Sequence, residues 1–146
     1  MSWISRIFKN KKRGVISFGP GFALTELPVI SLYQDGESFN FLLDTGSNDS
    51  IIDSNILNRI KYTESDKKNS LFGMEGNKQD VHICNIVLSY DGIDYPYEYN
   101  IVDMKLPFGN IKAETGVTLH GIIGSKFFNK YKYVLDFDKL VAYSKK

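Results

Sequence analysis

Phe39-Asn40-Phe41-Leu42-Leu43-Asp44-Thr45-Gly46-Ser47-Asn48-Asp49-Ser50-Ile51-Ile52 is the stretch on which the reading of this chain turns. An alternating and then continuous apolar run ends on a carboxylate at the head of a Thr-Gly-Ser turn, and a second apolar run follows. Strands rich in Phe, Leu and Ile are half or fully buried, and burying a lone carboxylate with them costs several kcal/mol. An aspartate at position 44, where Asn or Ser would be less costly, either has a partner or is used. We read Asp44 as a catalytic aspartate. The plainer alternative is a turn aspartate that caps nearby amides.

Working outward, strand signals alternate with turn signals. Leu27-Pro28-Val29-Ile30-Ser31-Leu32-Tyr33 is apolar and β-branched, with Pro28 confined to a strand start or an edge. Asp35-Gly36 predicts a tight hairpin turn into residues 38–43, and Asp91-Gly92 predicts another between strands over 81–89 and 93–104. Residues 50–52 resume an extended run, with Asp53 or Ser54 placed to cap a short helix over 55–60. His120-Gly121-Ile122-Ile123-Gly124 precedes a helical spacing over 125–131 with Ser125 in the N-cap position. Residues 132–137 and 140–144 read as a hairpin around Asp138-Lys139. Gly19-Pro20-Gly21 reads as a breaker, 61–69 as a polar surface connection, and 106–118 as irregular. The sum is an all-β chain with one or two short helices, closed or nearly closed into a barrel.

Composition agrees. At 146 residues the chain makes one domain; nine Tyr and ten Phe against only four Pro suit a β-rich core. A net charge of +1 points to neither nucleic acid nor acidic partners. The single cysteine, Cys84, has no disulfide partner within the chain, and no apolar run approaches the ~20 residues of a membrane span. Residues 1–8 lack the apolar core of a signal peptide, so a cytoplasmic location is the expectation. Residues 1–14 form a basic N-terminal tail ahead of a domain over 15–146. Trp3, Ile4, Ile7 and Phe8 recur at helical spacing among Arg6, Lys9, Lys11, Lys12 and Arg13. Contact of residues 1–13 with a membrane surface is the weaker reading of this tail, because four apolar side chains offer little area; a frayed terminus or a segment packed on the barrel is the stronger.

Residues 41–47, with 50–52 after them and Gly121-Ile122-Ile123-Gly124 about 80 residues on, resemble the two active-site elements of the retropepsin-like aspartic proteases. The resemblance runs from about Leu24 to Tyr143 and fits a cellular or bacterial relative better than a viral one. It implies a retropepsin-like β-barrel with a flap hairpin, a catalytic Asp44, and a loop supported by Thr45, Gly46 and Ser47. It also implies a second motif at Ile122, Ile123 and Gly124, with Gly124 letting the chain pass close beneath the active loop. Gly73-Met74-Glu75-Gly76 lies where such proteins carry a flap, so Phe72, Gly73, Met74 and Gly76 are candidate flap residues. Ile51, Ile52 and Ile123 join Phe72 and Met74 as candidate pocket residues. No cofactor or metal is implied.

Such an enzyme needs two carboxylates, one as general base toward water and one as general acid toward the scissile carbonyl. Asp91-Gly92 is a turn, Asp136 and Asp138 lack a Thr-Gly context, and Glu114-Thr115-Gly116 follows no apolar strand. The second carboxylate is therefore expected from Asp44 of a second copy, in a homodimer that takes a peptide or protein substrate. Retroviral members often carry an acidic residue after the small residue of the motif and an Arg after the second glycine; Asn48 and Ser125 stand there instead.

Other constellations read as structural. His82 and Cys84 alternate without further ligands at suitable spacing, and His120 has no nucleophile in an elbow context. Tyr95, Tyr97 and Tyr99 alternate as strand packing does. The expected function is an aspartic endopeptidase. The competing expectation is a peptide-binding or dimerisation module of the same shape with weak or lost catalysis.

Overall fold

Asp35 and Gly36 adopt left-handed φ of 49° and 79°, as do Asp91 and Gly92 at 54° and 75°. Two consecutive positive φ values make the turn whose twist matches paired antiparallel strands, and Gly and Asp tolerate it best. The first turn joins β2 (Val29–Gln34) to β3 (Glu37–Leu43), in register from Val29 opposite Leu42 to Gln34 opposite Glu37. The second joins β6 (Lys78–Tyr90) to β7 (Ile93–Val102).

The computed structural model describes residues 13–72 and 78–146, with side chains for all of these except 68–72 and 78–80. Ahead of β2 come β1 (Ile16–Ser17) and α1 (Gly19–Thr25). Between β3 and β6 lie β4 (Ile51–Asp53), a 3-10 helix (Ser54–Arg59) and β5 (Thr63–Phe72). After β7 come α2 (Lys105–Thr115), β8 (Gly121–Ile123), α3 (Ser125–Tyr131), β9 (Tyr133–Asp136) and β10 (Val141–Ser144).

Strand pairing runs β2-β3-β8-β4-β7-β6-β5, and Tyr33 of β2 also pairs with Ser89 of β6. That last pairing closes six strands into a barrel and leaves β5 outside it as the outer arm of the β5–β6 hairpin. The expected all-β barrel is therefore present. A second sheet, β1-β10-β9, adds Ile16 and Ala142 to the same core.

Alternation along β3 sends Phe39, Phe41 and Leu43 inward, where they are at most 4% exposed. They meet Ile30, Leu32, Ile52, Ile86, Leu88, Tyr95, Tyr99, Ile123 and Phe127. Truncating Phe41 to Ala in such a core costs about 3–5 kcal/mol. Tyr95, Tyr97 and Phe127 stack edge-on or tilted with Tyr131, so the tyrosine alternation is strand packing. A smaller cluster of Val29, Phe108 and Leu119 lies under α2, with Leu42 and Ile122 against it.

Four expectations are corrected. Gly19-Pro20-Gly21 starts a helix instead of breaking the chain, because Pro20 sits in the first turn where no intrahelical N–H is needed. Residues 61–69 are mostly strand β5: it lies outside the barrel with residues 63–67 largely exposed, so no apolar alternation marks it. Residues 106–118 contain α2, whose Pro107 again falls in the first turn and whose one buried side chain, Phe108, leaves little helical periodicity to read. The described residues thus hold three α-helices and a 3-10 helix where one or two short helices were expected. Among them no helix is long and apolar enough to cross a membrane. The tail over residues 1–12, with its apolar and basic side chains, lies outside the described residues.

Candidate active site

β3 carries the chain to Asp44, and the pleat decides where the carboxylate goes. Leu43 points into the core, so Asp44 follows the opposite parity, that of Asn40 and Leu42, and is half-buried. The charge that looked misplaced on a buried strand lies one residue past the strand and off the core face.

Backbone bonds fix the turn. Asp44 N–H donates to Ile123 O at 2.9 Å, and Ser47 N–H to Asp44 O at 3.2 Å. The carboxylate accepts the Gly46 N–H through Oδ1 at 2.9 Å; among the described residues nothing else bonds to it. Gly46 does not have a positive φ; a Cβ there would come within 3.2 Å of Asp44 Oδ1, so close approach is what a side chain would disturb. Thr45 and Gly46 are exposed at the loop crest. The Ser47 hydroxyl donates to Asp49 O at 2.7 Å and so braces the loop.

The second motif lies directly beneath. β8 runs parallel to β3, with Leu43 beside Ile123, and antiparallel to β4, with Ile51 beside Ile122. A Cβ on Gly121 would lie 2.5 Å from Ile51 O, and one on Gly124 would lie 2.5 Å from Asp49 O and 2.6 Å from Ser47 O. Gly124 N–H donates to the hydroxyl of Ser50, which is 2% exposed, at 3.0 Å. Two residues about 80 apart in sequence are therefore in backbone contact, and only glycine fits between them.

α3 continues the contact. Gly124, not Ser125, is its N-cap, because the Ser125 N–H is already given to Ser47 O at 2.7 Å and the Lys126 N–H to Asn48 O at 3.1 Å. Lys126 Nζ then reaches Asp49 Oδ1 at 2.8 Å.

The candidate pocket residues divide by pleat. Ile52 and Ile123 are fully buried in the core and face away from any surface, whereas Ile51 and Ile122 are half-buried. Cross-strand partners share a face, so Leu42, Ile122, Ile51, Asn100 and Ile83 form one row on the Asp44 side of the sheet. The far end of that row opens into a cavity of about 900 Å³, lined by Ile83, Asn100, Asp49, Ser50, Tyr97 and Lys126 among others. Asp44 does not line the cavity. Burial, then the nearby Asp49 and Glu98, push the Tyr97 hydroxyl's pKa upward. Asn100, Ile83 and Lys126 carried no motif, and only the alternation of β7 and β6 against β4 marks them as neighbours of the loop. Phe72 closes β5, while Gly73, Met74 and Gly76 lie outside the described residues.

Among the described residues, no three His, Cys, Asp or Glu side chains gather as metal ligands do. Cys84 is fully buried opposite Glu64 in the β5–β6 pair. Comparison of the chain with protein-family models and with curated proteins returns no match, so the functional reading rests on the residues themselves.

Proposed function

We propose that this chain is an aspartic endopeptidase that acts as a homodimer, each copy supplying one Asp44. The observation that carries the reading is the Asp44-Thr45-Gly46-Ser47 turn bonded to Ile123 and seated on Gly124. A half-buried carboxylate is presented beside an exposed loop crest by backbone contacts that tolerate no side chain. One Asp44 takes a proton from water as its oxygen adds to the scissile carbonyl, and the other gives its proton to the carbonyl oxygen. Two carboxylates side by side hold one proton between them because like charges at close range do not both ionise. Thr45, exposed beside them and without a bond among the described residues, is available to the partner's loop. An extended peptide runs past Ile51 toward the cavity, with side chains read in alternation.

The test is digestion of a peptide library between pH 4 and 7, wild type against Asp44→Asn, with sedimentation of both. The expected result is cleavage by a dimeric wild type and none by Asp44→Asn, since Asn neither takes nor gives the proton. Active wild type that sediments only as a monomer overturns the shared site. A well-folded dimer that cuts no peptide favours the binding module.

A further inference from the structure

His120 holds both main-chain groups of one residue on the strand that delivers Asp44. Its N–H donates to Asn40 O at 2.8 Å, and its ring Nδ1 accepts the Asn40 N–H at 2.9 Å. A backbone amide only donates, so Nδ1 carries no proton and the neutral ring bears its hydrogen on Nε2. Asn40 is tied further: its Nδ2 donates to Thr118 O at 2.8 Å, and its Oδ1 accepts the Ser31 hydroxyl at 2.7 Å. His120 O in turn accepts the Asp53 N–H at 2.9 Å, which binds β4 to the same point.

This knot lies at the start of the short parallel pairing that carries the Asp44 turn. β8 has three residues, and its register on β3, from Phe41 beside Gly121 to Leu43 beside Ile123, sets where Ile123 O meets Asp44 N–H. Three ladder positions on β3 and two on β4 hold so short a strand weakly, and a slip would carry Gly124 out from under Ser47 and Asp49. The imidazole supplies an extra bond where the ladder begins. It is 5% exposed, with the edge of Phe39 against it at a centroid distance of 5.4 Å.

We propose that His120 is a positioning residue for Asp44: through Asn40 it pins β8 to β3, and a proton on Nδ1 releases the pin and sets the acidic limit of the active loop's order. The proposal deepens the proteolytic reading and rests on it for its consequence in activity. Protonation replaces an acceptor with a donor that faces the Asn40 N–H, so the bond becomes a repulsion. The charged groups around the ring are Arg59 from the 3-10 helix, Asp53 from β4 and Glu37 from β3. Burial first and the Arg59 charge second hold the ring's proton affinity below the ordinary histidine value, with Asp53 and Glu37 pulling the other way. The lost bond is thus a feature of solution more acidic than the one in which an ordinary histidine takes its proton.

Two variants separate the pin from simple packing. In His120→Asn an amide oxygen stands near the place of Nδ1 and accepts without titrating; His120→Phe keeps a ring and loses the acceptor. Nitrogen NMR shifts of the wild-type ring, and amide exchange at Asn40, Gly46 and Ile123, are followed from pH 7.5 to 5. In the wild type Nδ1 is expected to be unprotonated at pH 7.5. All three amides should lose at least tenfold protection as it titrates, beyond the pH dependence of an unstructured amide. His120→Asn should keep that protection across the range, and His120→Phe should lack it at both ends. Protection that falls equally in wild type and His120→Asn overturns the pin, as does an Asn40 amide still protected once Nδ1 is protonated. For activity, kcat/KM of His120→Asn should extend to lower pH than that of wild type; superimposable profiles overturn the positioning role. A wild type that cuts nothing at any pH overturns the link to catalysis along with the proteolytic reading, while the exchange data still decide the pin.

Discussion

Lys126 Nζ lies 2.8 Å from Asp49 Oδ1, while the Lys126 main-chain N–H donates to Asn48 O at 3.1 Å. Loop and helix are joined by a charged side-chain pair and a main-chain bond side by side. The Lys126 side chain is 65% exposed and that of Asp49 25%, so solvent screens the pair strongly. Lys126→Met is expected to cost about 0.5 kcal/mol, and the difference should shrink in 1 M salt. Urea unfolding at low and high ionic strength measures both. A loss above about 2 kcal/mol would mean that the pair acts as a buried bridge.

Three glycines should answer very differently to alanine. At Gly124 the new Cβ would meet two carbonyl oxygens at 2.5 and 2.6 Å, and backbone gives way less readily than a side-chain tip. Gly124→Ala should cost about 3 kcal/mol or more and displace the Asp44 turn. At Gly36 there is space, but φ of 79° strains any Cβ, so about 1 kcal/mol is expected. Gly109 lies within α2 with nothing within 4 Å, and alanine there should stabilise by about 0.5–1 kcal/mol. Thermal or urea unfolding of the three variants checks the order.

What sequence makes legible here follows from how strongly each feature imprints on side chains. Phe39, Phe41 and Leu43 alternate because one face of β3 is core, and Asp35-Gly36 and Asp91-Gly92 stand where two positive φ values are needed. Gly124 stands where a Cβ would strike backbone. These constraints act on residue identity and can be read from it. β5 is held by a main-chain ladder outside the barrel, and α2 buries only Phe108, so neither leaves a pattern. In the site, Asp44 announces itself by its flanks. Asn100 and Ile83 reach its face only through the pairing of β4 with β7 and β7 with β6, which is a property of topology. Ile52 and Ile123 face the core while Ile51 and Ile122 lie on the other face: in a run of two isoleucines, sequence does not say which faces inward.

Tyr99 is fully buried, and its hydroxyl has no hydrogen-bond partner among the described residues. Burial, with the neighbouring Tyr131, Tyr97 and Cys84, pushes its pKa far upward. A hydroxyl taken from water without a replacement bond is a liability, so Tyr99→Phe should leave the barrel as stable or stabilise it by about 1 kcal/mol. Destabilisation on urea unfolding would mean that the hydroxyl has an acceptor after all.

Cys84 sits opposite Glu64 in the β5–β6 pair, fully buried, and burial followed by the Glu64 charge pushes its thiol pKa up to about 11 from 9.0. Thiolate is the reactive form, so the folded protein should resist thiol-reactive reagents at pH 8 and react only as it unfolds. The same shift sets a sign for stability. Between 9.0 and about 11 the unfolded chain releases the proton while the folded protein keeps it, so stability falls as pH rises through that window. Cys84→Ala removes the titration and adds a small cavity, so it should be somewhat less stable at pH 8 and lose less than wild type on going to pH 10.5. Urea midpoints of both proteins at the two pH values decide it. A slope equal in both would assign the alkaline loss to the tyrosines.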